Sequence, residues 1–379
     1  MYSISAYGDM IADRVRMDAY TEALRQSITP DSIVLDIGSG TGIFALLSCH
    51  FGARRVYAIE TDDAIEVAKE IAKANSFEDR IEFIQARSTE VTLPERANLM
   101  ISDLRGVLPF YQHNIPAVID ARTRLLDPAA VMIPLRDVIW AAIVEAPEPR
   151  RRLDQWDDFP GLDQRAAKRL VANTWWRARV SPDQLLSLPQ CVTTLDYPAV
   201  DNPDLSTAVQ FTVTRSGTGH GVLVWFDTEL AKDIGFSNGP GLPEISYGSA
   251  FFPWTEPVDL KRDDVISLSL KADLVSEDYV WRWQTRIERG SLPATVIANF
   301  AQSTFLGTPL SSTQLHKRTA TYQAARNDAG EIDLLVLSLM NGTKSTAEIA
   351  TELLTRFPNK FTNFKNALNH AAALAAKYS

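Results

Sequence analysis

Apolar positions in the first third of the chain follow two alternating rhythms. Ile33–Ile37, Arg55–Glu60, Arg80–Ile84 and Leu99–Ser102 are short, largely apolar runs, the pattern of strands covered on both faces. Between and after them, Gly42–Phe51, Asp62–Asn75 and Pro116–Leu126 predict helices, the second with Ile65, Ala68, Ile71 and Ala72 on one stripe. Strands alternating with helices predict a parallel-dominated sheet, an α/β domain over residues 1–135.

The rhythm changes after Leu135. Asp137–Val144 predicts a long strand, and Pro147–Pro160 reads as a polar segment. Gln164–Asn173 and Asp183–Leu188 predict helices on either side of Trp175 and Trp176. From Cys191 to Ile287 short alternating runs dominate: Ala208–Thr214, Gly221–Asp227, Asp264–Leu270 and Tyr279–Arg286. Such spacing predicts a β-barrel or sandwich over residues 136–325, carrying a helical insert at about 155–188. In the last segment, 326–379, Asp333–Met340, Ser345–Arg356 and Phe361–Lys377 predict helices, with Asn341-Gly342 as a turn. Ser345 followed by Glu348 predicts a capping box.

Length and composition narrow the function classes. A chain of 379 residues with 45% apolar and 22% charged residues is expected to form two or three globular domains. Its net charge of −9 speaks against a nucleic-acid partner, since phosphate contacts need a basic face. No apolar run reaches the roughly 18 residues of a membrane span. Met1–Met10 lacks the basic and apolar regions of a signal peptide, so a cytoplasmic protein is expected. Cys49 and Cys191 have no partner cysteine at ligand spacing, so neither a metal site nor a disulfide framework is expected.

The principal chemical signal is Val34-Leu35-Asp36-Ile37-Gly38-Ser39-Gly40-Thr41-Gly42, where a strand gives way to a helix. Glycines there let the backbone turn sharply and approach a bound nucleotide. A phosphate-binding P-loop would end Gly-Lys-Ser/Thr, whereas this loop continues Thr41-Gly42-Ile43. A dinucleotide fingerprint has a different glycine spacing. Glu60 ends the next strand, where an acid accepts ribose hydroxyls. Asp36 is expected to help fix the loop and the amino-acid end of the ligand.

On these residues the chain resembles the protein arginine methyltransferase family, from about Tyr7 to Arg286. Tyr7-Gly8-Asp9-Met10-Ile11-Ala12-Asp13-Arg14-Val15-Arg16 is similar to that family's N-terminal helix. Gly52-Ala53, Tyr57-Ala58-Ile59-Glu60, Asn75, Leu93-Pro94 and Trp225-Phe226-Asp227 also match. The resemblance implies S-adenosylmethionine (SAM) as cofactor, with Met10, Arg16, Asp36, Gly38, Gly40, Thr41, Gly42, Glu60, Thr61, Ser88 and Glu90 around it. Arg16 would hold its carboxylate. Thr89 stands where the family has an acid against the adenine. The helical insert falls at the family's dimerisation arm, implying a homodimer.

At the acceptor site the sequence departs from that family, which holds a guanidinium between two glutamates. The loop here is Ser102-Asp103-Leu104-Arg105-Gly106-Val107-Leu108-Pro109-Phe110-Tyr111-Gln112. Asp103 replaces the first glutamate, Gln112 the second, and Arg105 adds a positive charge. Ile245-Ser246-Tyr247 replaces a Thr-His-Trp motif. Asp103 and Gln112 are therefore the candidate catalytic residues, with Asp103 orienting the acceptor or taking its proton and Gln112 donating a hydrogen bond. His113 beside the loop is a further candidate base. The expected activity is methylation of a peptide or protein acceptor without two-glutamate arginine recognition. The alternatives are a small-molecule methyltransferase and a catalytically silent SAM-binding scaffold. Leu335–Ala350 also resembles leader-peptide-binding domains related to the peptide chaperone of pyrroloquinoline quinone biosynthesis, which would imply a ribosomally made peptide as acceptor.

Overall fold

A computed structural model describes residues 3–157, 160–290 and 293–379. The chain divides into two compact units, Met1–Pro309 and Leu310–Ser379.

The first unit begins with α1 (Ile4–Ala12) and α2 (Arg14–Ser27). They break at Asp13, whose carboxylate caps α2 by accepting from the Arg16 N–H at 3.2 Å. There follow β1 (Ile33–Ile37), α3 (Ile43–His50), β2 (Arg55–Glu60), α4 (Ala64–Ala74), β3 (Ile81–Gln85), β4 (Ala97–Ser102), α5 (Asn114–Arg124) and β5 (Leu126–Ile133). The five strands are parallel, in the order β3-β2-β1-β4-β5. The chain leaves β1 toward one side and later returns to its other side through β4. That reversal opens a crevice at the carboxyl ends of β1 and β4, the place where open α/β sheets bind ligands. β5 had no sequence signal because five of its residues are partly or fully exposed, leaving no continuous apolar run.

Next come β6 (Arg136–Val144), α6 (Pro147–Asp154), α7 (Arg165–Val171), β7 (Trp176–Ala178), β8 (Gln190–Asp196), β9 (Leu205–Thr212) and β10 (Gly217–Ala231). The unit closes with β11 (Ile234–Ser237), β12 (Ser249–Leu260), β13 (Val265–Val275), β14 (Asp278–Arg289) and β15 (Thr295–Ser303). One antiparallel sheet has the order β7-β12-β10-β6-β8, with β11 on β10; the other is β15-β14-β13-β9. Trp254, Trp283, Phe252, Phe211 and Leu268 are all buried in one core with the parallel sheet. Each such side chain contributes roughly 1.5–3 kcal/mol by leaving water. Both tryptophan N–H groups stay satisfied, Trp254 donating to Thr285 Oγ1 and Trp283 to the Pro253 carbonyl, each at 3.2 Å.

Two expectations need correction. Asp183–Leu188 is not a helix: after a single 3₁₀ turn at Pro182–Gln184, Leu185 and Ser187 bridge to Val144 and Val213 as extended chain. The segment Pro147–Pro160, read only as polar, carries a helix: α6 starts there with Pro147 at its first turn and buries Arg150 and Leu153, while residues 158 and 159 lie outside the described residues. The described helices of the insert are therefore α6 and α7, with a 3₁₀ turn at Gln155–Asp157.

The second unit holds α8 (Ser312–Lys317), α9 (Asp328–Leu339), α10 (Thr346–Arg356) and α11 (Phe364–Tyr378). Ile332, Val336, Ile349, Leu353, Phe361 and Ala367 form its core. The capping box is present: the Glu348 N–H donates to Ser345 Oγ at 3.3 Å and the Ser345 N–H to Glu348 Oε2 at 2.8 Å. No described helix is long and apolar enough to cross a membrane.

Candidate active site

A cavity of about 630 Å³ opens at the carboxyl ends of β1 to β4 and is walled on one side by α1. The β1–α3 loop forms its floor. Gly40 has a φ of +53°, and a Cβ there would lie 2.5 Å from the Tyr7 ring, so only glycine lets α1 close over the loop. Glu60, at the end of β2, accepts from the Gly40 N–H at 2.8 Å and from the Thr61 and Asp62 N–H groups at 2.7 and 2.9 Å. Three backbone donors fix its carboxylate and leave lone pairs turned toward the cavity. Ser39 Oγ, also in the wall, is buried and has no hydrogen-bond partner among the described residues.

Met10, Arg16, Gly38, Gly40, Thr41, Glu60, Thr61, Ser88, Asp103 and Gln112 all line this cavity, as does His113. Three residues expected there do not. Asp36 is wholly buried beneath the loop, with no hydrogen-bond partner at ordinary geometry. Burial pushes its carboxyl up to about 8, against the pull of the Ala45 N–H and with the Glu60 charge adding to the rise. Gly42 instead gives close packing on α4, where a Cβ would lie 2.9 Å from that of Ala68. Glu90 ends the 3₁₀ turn Ser88–Glu90 and is exposed. Arg124 fixes that turn by donating to the Ser88 and Val91 carbonyls at 3.1 and 2.9 Å.

The candidate catalytic loop runs from β4 to α5, and its first residue is fully engaged. Asp103 accepts from Arg16 Nε at 2.6 Å and pairs with the same guanidinium through Arg16 Nη2. Tyr247 Oη lies 2.5 Å from both Asp103 oxygens, and Arg105 approaches Oδ1 at 3.3 Å. Burial alone would raise the Asp103 carboxyl; the Arg16 and Arg105 charges and the Tyr247 hydroxyl hold it below the usual carboxylate range. A carboxylate so placed is a poor base, which runs against the proton-accepting role expected of it.

Arg105 is 1% exposed and donates to Asp137 Oδ1 at 2.8 Å and Thr228 Oγ1 at 2.7 Å, and to the Tyr20 hydroxyl. Its guanidinium lies 5.2–6.0 Å from the ring centres of Phe226, Phe236, Tyr247 and Tyr20. Asp137, entirely buried, also accepts from the Tyr197 hydroxyl at 2.6 Å. The cluster thus holds two arginines and two aspartates and is neutral. Gln112 stands apart: its φ is +43°, it is exposed, and its Nε2 donates to Tyr111 Oη at 3.2 Å.

A groove of about 1010 Å³ meets the cavity at Met10, Arg105, Tyr111 and Tyr247. Phe110, Trp175, Tyr279 and Trp281 supply its aromatic surface, and Arg14, Arg177, Asp9 and Asp278 its charges. Sequence reasoning missed Asp137, Tyr20 and Tyr197. A signal existed for Asp137, a lone acid opening the apolar run Val138–Val144. Tyr247 was visible only as the residue in place of a tryptophan.

Residues 136–286 match the arginine methyltransferase oligomerization subdomain, and residues 19–104 match the model of ribosomal protein L11 methyltransferase. The fold is similar to Arabidopsis thaliana protein arginine methyltransferase 10, with a TM-score of 0.72 at 23% identity, covering 80% of this chain and 98% of that one. It is also similar to the Trypanosoma brucei PRMT1 enzyme–prozyme heterotetramer with AdoHcy, with a TM-score of 0.70 at 22% identity, covering 79% and 98%. Protein arginine N-methyltransferase 1 of Chlamydomonas reinhardtii is 30% identical over 272 residues, 69% of this chain and 79% of that protein. The chain belongs to the protein arginine methyltransferase family. Protein arginine N-methyltransferase 1 of Schizosaccharomyces pombe is 33% identical over 246 residues, 61% of this chain and 71% of that protein. Both matching models end before the C-terminal unit.

As a member of this family the chain is a SAM-dependent methyltransferase. The cavity fits that cofactor. Its volume suits a nucleoside-sized ligand, Glu60 is braced to accept hydroxyls, and the Ser39 hydroxyl is buried and unpartnered. When bound, SAM supplies an electrophilic methyl group on sulfur.

Proposed function

We propose that this methyltransferase transfers its methyl group to a neutral nitrogen or hydroxyl of a peptide or protein acceptor laid in the aromatic groove, and that it works as a homodimer. The observation that carries the reading is the saturation of Asp103. A guanidinium acceptor stays protonated and needs free carboxylate oxygens to orient it. Here two resident guanidinium groups and one hydroxyl already occupy the carboxylate in the cavity wall. The second carboxylate of the family's pair is replaced by neutral Gln112.

A neutral acceptor needs less. Gln112 commits one amide N–H to Tyr111 Oη, which leaves its second N–H to donate and its carbonyl oxygen to accept from an acceptor N–H or O–H. A neutral amine nitrogen would bring its own lone pair to the methyl group as the methyl–sulfur bond breaks, and the ammonium so formed would release its proton to water. Tyr111 and Tyr247, at the junction, bound the acceptor's path. The match of residues 136–286 to the oligomerization subdomain supports the dimer. The net charge of −9 supports a polypeptide over a nucleic acid as acceptor.

The test uses the full chain with isotopically labelled SAM and a peptide library, the products mapped by mass spectrometry. Label on amine, amide or hydroxyl side chains is the expected result. Label on arginine at comparable rate overturns the reading. The Gln112→Glu variant sharpens the test: arginine methylation gained with the original transfer intact would remove the role given to Gln112.

A further inference from the structure

The turn between β13 and β14 reaches out of the barrel into the wall of the cofactor cavity. Val275 and Asp278 are paired, so the turn has two residues, Ser276 and Glu277, with Ser276 at φ +58°. A hairpin this short fixes the direction of Glu277. Glu277 lines the cavity, and Oε2 lies 3.3 Å from both Arg87 Nη2 and His113 Nε2. Its other oxygen, Oε1, has no partner among the described residues.

Four carboxylates line the cavity: Glu60, Asp62, Asp103 and Glu277. Glu60 is braced by backbone donors for the ribose. Asp62 accepts from the Ala64 N–H at 3.0 Å and so starts α4. Asp103 is saturated. Glu277 alone of the four has an uncommitted oxygen and no role in the local backbone. It stands beside the residues after β3, Ala86–Thr89, through its contact with Arg87, and that segment carries no acid in the cavity wall. The residues after β3, the strand beside β2, line the same cavity, so a base carried by a ribose at Glu60 would lie within reach of that wall. Adenine carries an exocyclic amino group that donates two hydrogen bonds at its outer edge, and a carboxylate oxygen there would accept one.

We infer that Glu277, delivered by the barrel hairpin and held by Arg87, recognises the adenine amino group of the cofactor. The inference rests on the ribose lying at Glu60, and it makes the barrel a direct contributor to cofactor binding. It also predicts base selectivity. A hypoxanthine base presents an oxygen where adenine has the amino group, and that oxygen would face the carboxylate.

Isothermal calorimetry with S-adenosylhomocysteine and its inosine counterpart tests this without any acceptor, so its result is independent of the acceptor reading. Wild-type protein should prefer the adenine compound. Glu277→Ala should weaken that compound roughly tenfold and leave the inosine compound within about twofold, as expected for one solvent-exposed hydrogen bond to a charged group. Glu277→Gln, whose amide can both accept and donate, should narrow the preference. Glu277 is 70% exposed, so neither variant disturbs the core. An unchanged preference in both variants overturns the assignment while leaving the cofactor site standing. A wild-type protein that binds neither compound overturns the cofactor site and this assignment together.

Discussion

Replacing Asp103 by Asn separates a structural carboxylate from one kept free for an acceptor. The side chain changes little in size, but the buried cluster passes from neutral to a net charge of +1. Arg16 loses its charged partner, and Arg105 keeps only Asp137. Breaking a buried pair while leaving its partner charged costs about 3–5 kcal/mol. For a unit this large, about 2–4 °C is lost per kcal/mol, so the melting temperature should fall on the order of 10 °C. The double variant Asp103→Asn/Arg16→Met removes both partners of one pair, leaves Arg105 with Asp137, restores neutrality and should recover most of that loss. Denaturant unfolding followed by tryptophan fluorescence, with calorimetry on the same samples, reads both effects. If Asp103→Asn unfolds within about 1 kcal/mol of wild type, or the double variant is no better than the single one, the engaged-carboxylate reasoning is wrong.

Other consequences follow from the same geometry. Asp36 is an acid raised to about 8, so the folded state holds a proton that the unfolded chain releases near pH 4, and stability should fall as pH climbs toward 8. Asp36→Asn removes this slope and should gain about 3 kcal/mol on wild type between pH 6 and pH 8, at about 1.4 kcal/mol per pH unit; unfolding curves that shift in parallel would contradict it. Glu60→Gln should weaken S-adenosylhomocysteine binding by roughly tenfold or more, since charge-assisted hydrogen bonds are lost, and an unchanged dissociation constant would place the ribose elsewhere. Gly40→Ala should push α1 off the loop through Tyr7 and cut cofactor affinity; a variant with wild-type affinity and melting temperature would show that α1 does not close there.

Four of the five strands of the parallel sheet were legible because β1 to β4 are short, largely apolar runs, three of them punctuated by Gly38, Glu60 and Ser102 at their carboxyl ends. The cofactor side of the site was legible for the same reason, since loop glycines and a strand-end acid are local in sequence. The acceptor side was only half legible. Substitution at Asp103 and Gln112 showed that two negative charges had become one. Arg105 was read as a positive charge on the same loop, but the rest of what engages the remaining carboxylate could not be read, because Arg16, Tyr20, Asp137 and Tyr247 lie up to 231 residues apart and meet only in the fold. Asp36 misled for a related reason. Adjacency to the glycines suggested a ligand contact, but strand alternation turns its side chain into the core. Asp183–Leu188 read as a helix from composition, yet pairing with Val144 and Val213 drew it into extended form.

Whether the cavity beside Asp103 can accept a guanidinium decides between the two classes of acceptor. Calorimetric titration of an arginine-containing peptide into protein saturated with S-adenosylhomocysteine addresses this directly. The expected result is no binding tighter than about 1 mM, roughly the level of a single screened ion pair. Micromolar binding that disappears in Asp103→Asn would show that the carboxylate is free for an acceptor after all.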